Sequence, residues 1–294
     1  MDKKYAALER LIGVRTVAED CVTAMQIHRL NVTLNRSDPL PKDSDPVPWG
    51  WHAIFFPGLM QTEGLLSDGT ACELDETSDN PLPRRMYAGN QYRFHEPLRV
   101  GDRATKELFI KSVQQKHGSS GELVFVTYGM RISGPRGLVL EDDQKLVFRD
   151  KDRTGGKISP VAGEPASMEA SWHRTISLDP VTLFRFSACC FNPHRIHYDY
   201  PYVTEVENYP GLVVQGPLTA VLLLELLREN VPERASAMTG FTMRARAPLF
   251  ANRPITLLGE PAGDGSSCKL WAANEAGQLA MEISATFRQS GGGA

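Results

Sequence analysis

The segment FHEPLRVGDRAT, beginning at Phe94, returns late in the 294-residue chain as RARAPLFANRPIT, beginning at Arg244. With Pro97 set on Pro248, the pairs Leu98/Leu249, Gly101/Asn252, Arg103/Pro254 and Thr105/Thr256 coincide. Gly and Asn are the residues that best tolerate positive φ, so both copies are expected to turn at the same place. A second echo lies upstream. Asp20 precedes a helix-like stretch at 22–34, and Asp179-Pro180 precedes another at 181–188, with Asp and Pro as a cap and first-turn pair. Two echoes in the same order predict a duplicated unit, with one copy in residues 1–150 and the other in 167–294. Residues 151–166, with three Gly and two Pro, read as the linker.

Each copy reads as antiparallel β after its Pro-Leu turn. Stretches 104–116, 123–132 and 138–149 are rich in Val, Ile, Phe and Tyr, and Gly-bearing turns separate them. In the second copy 255–259, 269–274 and 278–288 repeat the scheme. The last places Leu279, Met281, Ile283, Ala285 and Phe287 on one face with a period of two. Residues 218–227 are apolar nearly all round behind Pro217, which predicts a buried helix stopped by Asn230 and Pro232. Its first-copy counterpart shrinks to the short 49–56 stretch. The expected class is α+β, each copy an antiparallel sheet wrapped on a helix. Residues 57–83 carry six acidic residues and no Lys or Arg, and read as a mobile surface loop.

Charge and composition narrow the function. A net charge of −3 lacks the cationic surplus of a nucleic-acid binder. No run of 18 apolar residues predicts a membrane span. The five cysteines have no paired spacing and read as reduced thiols of a cytosolic protein, with no metal site among them.

The densest chemistry lies in FSACCFNPHRIHYDYPYV, where Asn192, His194, Arg195, His197, Tyr198 and Asp199 crowd together after a short helix. YPGLVVQGPL follows and sets Gly216 at the start of the apolar helix, where free N–H groups favour developing negative charge. FNPHRIHYD followed by YPGLVVQGPL resembles the MaoC-like enoyl-CoA hydratases and dehydratases of the hot-dog fold. Within them it is similar to the double hot-dog hydratases of C5 dicarboxylic acyl-CoAs, to which PLPRRMYAGNQYRFHEPLRVGD also bears likeness.

The resemblance implies two fused hot-dog domains, only the second with a catalytic segment, and reversible hydration of an α,β-unsaturated acyl-CoA such as itaconyl-CoA or mesaconyl-C4-CoA. No cofactor is implied, since CoA belongs to the substrate. His197 falls on the family's histidine, Asn192 on its catalytic Asp, His194 on its Asn, and Gln215-Gly216 on the His-Gly pair that starts its central helix. Asn192 cannot transfer a proton at neutral pH, so His197 is expected to be the main acid or base, with Asn192 holding water. His194 or Asp199 would supply a second group. His194, His197 and Asp199 as metal ligands is the poorer reading, and His95 reads as structural. Arg84, Arg85 and Arg195 are candidates for a substrate carboxylate or the CoA phosphates. Arg244 and Arg246 lie on the strand that the family's CoA passes. Alternatives are an acyl-CoA thioesterase and a non-catalytic acyl-CoA-binding module. A fused pair supplies its own partner, so both a monomer and a homo-oligomer fit.

Overall fold

A computed structural model describes residues 6–70, 84–118, 121–149 and 163–288. Ten strands form one antiparallel sheet: β1 (Arg15–Cys21), β2 (Arg84–Phe94), β3 (Arg103–Gly118), β4 (Gly121–Gly134), β5 (Gly137–Arg149), β6 (Trp172–Ser177), β7 (Met238–Ala245), β8 (Pro254–Pro261), β9 (Ser267–Ala273) and β10 (Leu279–Phe287). Their order is β1-β3-β4-β5-β2-β7-β10-β9-β8-β6. The sequence is palindromic, since β6-β8-β9-β10-β7 repeats β1-β3-β4-β5-β2. The halves meet where β2 pairs with β7, from Asn90↔Met243 to Arg93↔Gly240. At this seam Gly240 is required by close approach, because a Cβ there would stand 2.3 Å from the Tyr92 carbonyl oxygen. The architecture is a double hot-dog.

The repeated Pro-Leu turns are equivalent in their hydrogen bonds. Val47 donates to the Leu98 carbonyl at 2.7 Å, and Val214 donates to Leu249 at 2.8 Å. Gly101 donates to Val22 at 2.8 Å, and Asn252 donates to Leu178 at 2.7 Å. Gly101 and Asn252 both take positive φ, 92° and 60°.

Five α-helices are described: α1 (Ala6–Arg10), α2 (Ala24–Thr33), α3 (Pro180–Cys190), α4 (Gly216–Asn230) and α5 (Pro232–Ser236). Asp179 caps α3, accepting the Thr182 N–H at 2.7 Å. The matching expectation for Asp20 fails. Asp20 belongs to β1, and its side chain accepts the Phe56 N–H at 2.8 Å. Thr23 caps α2 instead, in a reciprocal capping box with Gln26. Every residue of α4 from Leu218 to Leu227 is buried. In the first half only a 3₁₀ turn, Trp51–Ile54, stands at the corresponding place. The end of the expected linker already packs on the second half, as Leu279 donates to the Glu164 carbonyl at 2.8 Å and Ala166 to Gly277 at 2.9 Å. Residues 151–162 lie outside the described residues.

Candidate active site

α3 ends at Phe191, which takes the left-handed conformation and turns the chain into the 192–199 segment. Asn192 Oδ1 accepts the His194 N–H at 3.1 Å, tightening that turn. Arg195–His197 then form one 3₁₀ turn, and Val213 donates to the Ile196 carbonyl at 3.0 Å. His197 is 7% exposed, and its Nδ1 lies 2.7 Å from the Val213 carbonyl oxygen. A carbonyl only accepts, so Nδ1 carries the proton and Nε2 is left with its lone pair. Desolvation is the largest influence on this ring and lowers its pKa to about 4, although the Val213 bond opposes it. The imidazole is therefore a neutral base at physiological pH.

Gly216 opens α4 three residues after Val213. Gln215 precedes it, fully buried, and donates through Nε2 to the Leu183 carbonyl at 2.8 Å and to Ser187 Oγ at 2.9 Å. These bonds fix the start of α4 against α3. The first helical turn has N–H groups without intrahelical partners, and Pro217 supplies none, so Gly216 and Leu218 present theirs.

The first half supplies a clamp. Arg195 donates its backbone N–H to the Asp68 carbonyl at 2.8 Å and Nη1 to the Ser67 carbonyl at 3.1 Å. Asp68 Oδ2 lies 3.7 Å from His194 Nε2. Gly69, at φ 87°, packs so closely that a Cβ would meet the Pro193 carbonyl oxygen at 2.2 Å. Residues 67–69 of the expected mobile loop are thus seated on the motif, and 71–83 lie outside the described residues.

The structure brings Asn192, His194 and His197 together in one turn, with the two imidazole ring centroids 5.4 Å apart, and the Val213 bond ties His197 to the segment that leads into Gly216. Arg195 and Asp199 are paired with each other, Nε and Nη2 to Oδ2 at 3.0 and 2.9 Å, with the guanidinium 4.0 Å from the Tyr202 ring centroid. Asp199 also accepts the Tyr202 N–H at 3.1 Å, so this pair shapes the loop. Arg84 and Arg85 start β2, opposite Arg149 and Phe148, and their side chains lie outside what is described. Arg244 is exposed, and its strand turns Phe241 and Met243 to the opposite face. Arg246 pairs with Glu282 at 3.0 Å on the surface. His95 reaches Glu141 at 3.4 Å. Among the described residues no three His, Cys, Asp or Glu side chains gather as a metal site, and the four described cysteines are free. No described helix is long and apolar enough to cross a membrane.

A cavity of about 270 Å³ lies between the 50–58 stretch of the first half and α4 and β7 of the second. Cys190, Pro217, Ala220, Leu224, Phe241 and Met243 wall it from the second half; His52, Asn90, Tyr92, Lys106, Asp142 and Gln144 stand across from them. Sequence reasoning missed this polar set. Its signal was present: Leu140, Asp142, Gln144 and Leu146 share one strand parity, so two polar residues stand among inward-facing ones.

Comparison with known proteins bears on the fold and the class of reaction. Residues 50–251 match the family model "Hydroxyacyl-thioester dehydratase type 2". The mesaconyl-C(4)-CoA hydratase of Chloroflexus aurantiacus is 41% identical over 253 residues, 86% of this chain and 89% of that protein. A solved MaoC-like dehydratase superposes with a TM-score of 0.68 at 13% identity, covering 95% of this chain and 99% of the other. A Mycobacterium tuberculosis protein described as having a double hotdog fold gives 0.55 at 13% identity, over 92% and 95%.

Proposed function

The chain belongs to the hydroxyacyl-thioester dehydratase type 2 family and is a hydro-lyase of the enoyl-thioester type, and on that premise we propose that it hydrates a branched C5 dicarboxylic enoyl-CoA, with mesaconyl-C4-CoA or itaconyl-CoA as substrate. The observation that carries the mechanism is the Nδ1 bond of His197 to Val213, which leaves Nε2 with the lone pair of a base. The thioester oxygen accepts hydrogen bonds from the Gly216 and Leu218 N–H groups, which makes the β-carbon electrophilic. His197 Nε2 takes a proton from water, and the hydroxyl bonds to the β-carbon. The π pair moves toward the carbonyl, and the enolate charge rests on the oxygen at the helix start. The imidazolium then returns its proton to the α-carbon. Asn192, bound through Oδ1 to His194, holds the turn and offers its amide N–H₂ to water.

Support for the diacid comes from the similarity to the Chloroflexus protein across most of both chains. The division into a 1–150 domain without the motif and a 167–294 domain with it belongs to the same proposal, as does a cytosolic setting suited to free thiols. The test incubates the protein with crotonyl-CoA and with mesaconyl-C4-CoA and follows enoyl absorbance and free thiol together. Hydration removes absorbance without releasing thiol. Thiol release marks a thioesterase, and neither signal marks a binding module; each result would sink the proposal.

A further inference from the structure

The inner face of the first-half sheet holds polar groups that the hydration mechanism does not use. They begin with an irregularity in β2. Pairing with β5 slips between Tyr87 and Gly89, leaving Ala88 as a bulge residue. An odd-numbered step is thereby absorbed, and Tyr87 and Asn90 come to the same face although they are three residues apart. The Tyr87 hydroxyl donates to Asn90 Oδ1, and Asn90 Nδ2 donates to Asp142 Oδ2. Asp142 is 5% exposed, and its other oxygen, Oδ1, is buried with no hydrogen-bond partner. His52 Nδ1 is buried without a partner too. Both residues wall the cavity, as does Lys106, whose Nζ donates to the Phe56 carbonyl at 3.1 Å. Buried polar atoms are nearly always satisfied, so two such orphans in one cavity point to a polar ligand group.

We propose that Lys106, Asp142 and His52 form the subsite that receives a second carboxylate on the acyl group, so that the first half selects the substrate on which the second half acts. The inference rests on the diacid reading above and names where that diacid is read. Lys106 supplies positive charge. Asp142 Oδ2 is already taken by Asn90, so a proton on Asp142 belongs on Oδ1, the atom without a partner, from which it donates to the incoming carboxylate. A hydroxyl or an apolar end uses none of the Lys106 charge, and a carboxylate uses both donors.

The groups around Asp142 are Tyr87, Asn90, Tyr92 and Arg93 from β2 and Asp143 and Gln144 from its own strand, with Lys106 from β3 and His52 from the 3₁₀ turn on the same cavity wall. The cavity wall of α4 and β7 adds Pro217, Ala220, Leu224, Phe241 and Met243, none of them ionisable. Desolvation raises the Asp142 pKa to about 7, with hydrogen bonding to Asn90 and Tyr92 and the Arg93 charge opposing it and the Asp143 charge adding to it, and desolvation holds His52 at about 4. As pH rises through 7 the Asp142 donor becomes a buried negative charge, which repels a substrate carboxylate.

The experiment measures kcat and KM for mesaconyl-C4-CoA and crotonyl-CoA between pH 6 and 8, on wild type, Lys106→Met, Lys106→Arg and Asp142→Asn, each checked by thermal melt. Lys106→Met should lower kcat/KM for the diacid roughly tenfold or more beyond its effect on crotonyl-CoA. Lys106→Arg should restore most of the difference. In wild type KM for the diacid should rise across the pH range. In Asp142→Asn, which keeps a neutral donor, that rise should disappear. Equal losses on both substrates, or a pH-dependent KM that survives in Asp142→Asn, would overturn the subsite while leaving the diacid assignment standing. Wild-type protein that hydrates crotonyl-CoA and no carboxylated thioester would overturn both. Should Lys106→Met fail to fold, the Asp142→Asn pH comparison decides alone.

Discussion

Trp51 Nε1 donates a 2.8 Å hydrogen bond to Oε1 of Glu225, tying the remnant of the first half's central helix to the intact helix of the second. Glu225 is 3% exposed, and it also meets Arg36 Nη1 at 2.6 Å and Arg228 Nη2 at 2.5 Å. Desolvation raises its pKa, and the two arginines pull against that shift. The carboxylate stands on α4, while Trp51 and Arg36 belong to the first half. Glu225→Ala should leave the buried Trp51 Nε1 donor without its acceptor, while Arg36 keeps Asp38 and Glu229, and destabilise the fold by about 1–3 kcal/mol. Trp51→Phe, which removes one hydrogen bond, should cost about 1–2 kcal/mol. Denaturant unfolding measures both, and a Glu225→Ala protein as stable as wild type would refute the tie.

His197→Ala should reduce hydration by roughly 10²–10⁴, the range of a lost general base. Its ring is held near pKa 4 by desolvation, so wild-type kcat/KM for crotonyl-CoA should stay flat from pH 6 to 8 on account of this group and fall only under acid conditions. A folded His197→Ala enzyme with near wild-type rate would move the base to another residue of the segment.

Asn192→Asp keeps the Oδ acceptor for the His194 N–H and adds an ionisable group beside the base. The variant should remain active and show an additional acid limb in its pH–rate profile. A profile identical to wild type would mean that residue 192 does not sense the reacting centre.

Gly69→Ala places a methyl against the Pro193 carbonyl at a backbone angle unsuited to alanine. The clamp on 193–195 should loosen and kcat should fall by roughly 10²-fold, as catalytic groups move by a fraction of an ångström to an ångström. The melting temperature should change little, since the segment lies outside the sheet. Proteolysis within 57–70 should accelerate in the same variant, and unchanged kinetics would show the clamp to be dispensable.

Stability against acid has a worked sign. His52 and His197 have folded pKa values near 4 against 6.5 unfolded, so the unfolded chain binds their protons first and stability falls as pH drops from 6.5 toward 4. Asp142 acts oppositely: with a folded pKa near 7 against 3.8 unfolded, it contributes stability that is gained as pH drops from 7 toward 3.8. Asp142→Asn removes this compensation, and its thermal stability should fall more steeply than wild type between pH 6.5 and 4. A parallel dependence in the two proteins would contradict the buried, raised carboxyl.

Much of this molecule is legible in its sequence because periodicity and caps are local. The alternating face of β10, the apolar run of α4 and the Asp179-Pro180 cap state their own structures. The Pro97 and Pro248 turns reveal the repeat because a positive-φ position demands Gly or Asn in both copies. His197 stands out because its motif is contiguous. What escaped reading depends on distance or on a local fault in register. Asp20 looks like a helix cap until Phe56, far along the chain, claims its carboxylate. The bulge at Ala88 hides Tyr87 from any count in twos. Arg195 reads as a ligand for substrate, and only the folded loop pairs it with Asp199. The seat of Gly69 on Pro193 joins opposite halves of the chain, which no spacing encodes.

The continuous sheet through the β2–β7 seam has an evolutionary reading as well. In a pair of identical subunits each substitution appears twice, so a change that suits a new acyl group also alters the copy that does chemistry. Fusion into one chain removes that coupling. Among the described residues, Lys106 and Asp142 of the proposed subsite have no twin beside His197, the proposed base, and His197 has none beside them. Selection can therefore retune what this protein accepts, one residue at a time, while the proton-transfer apparatus is inherited unchanged.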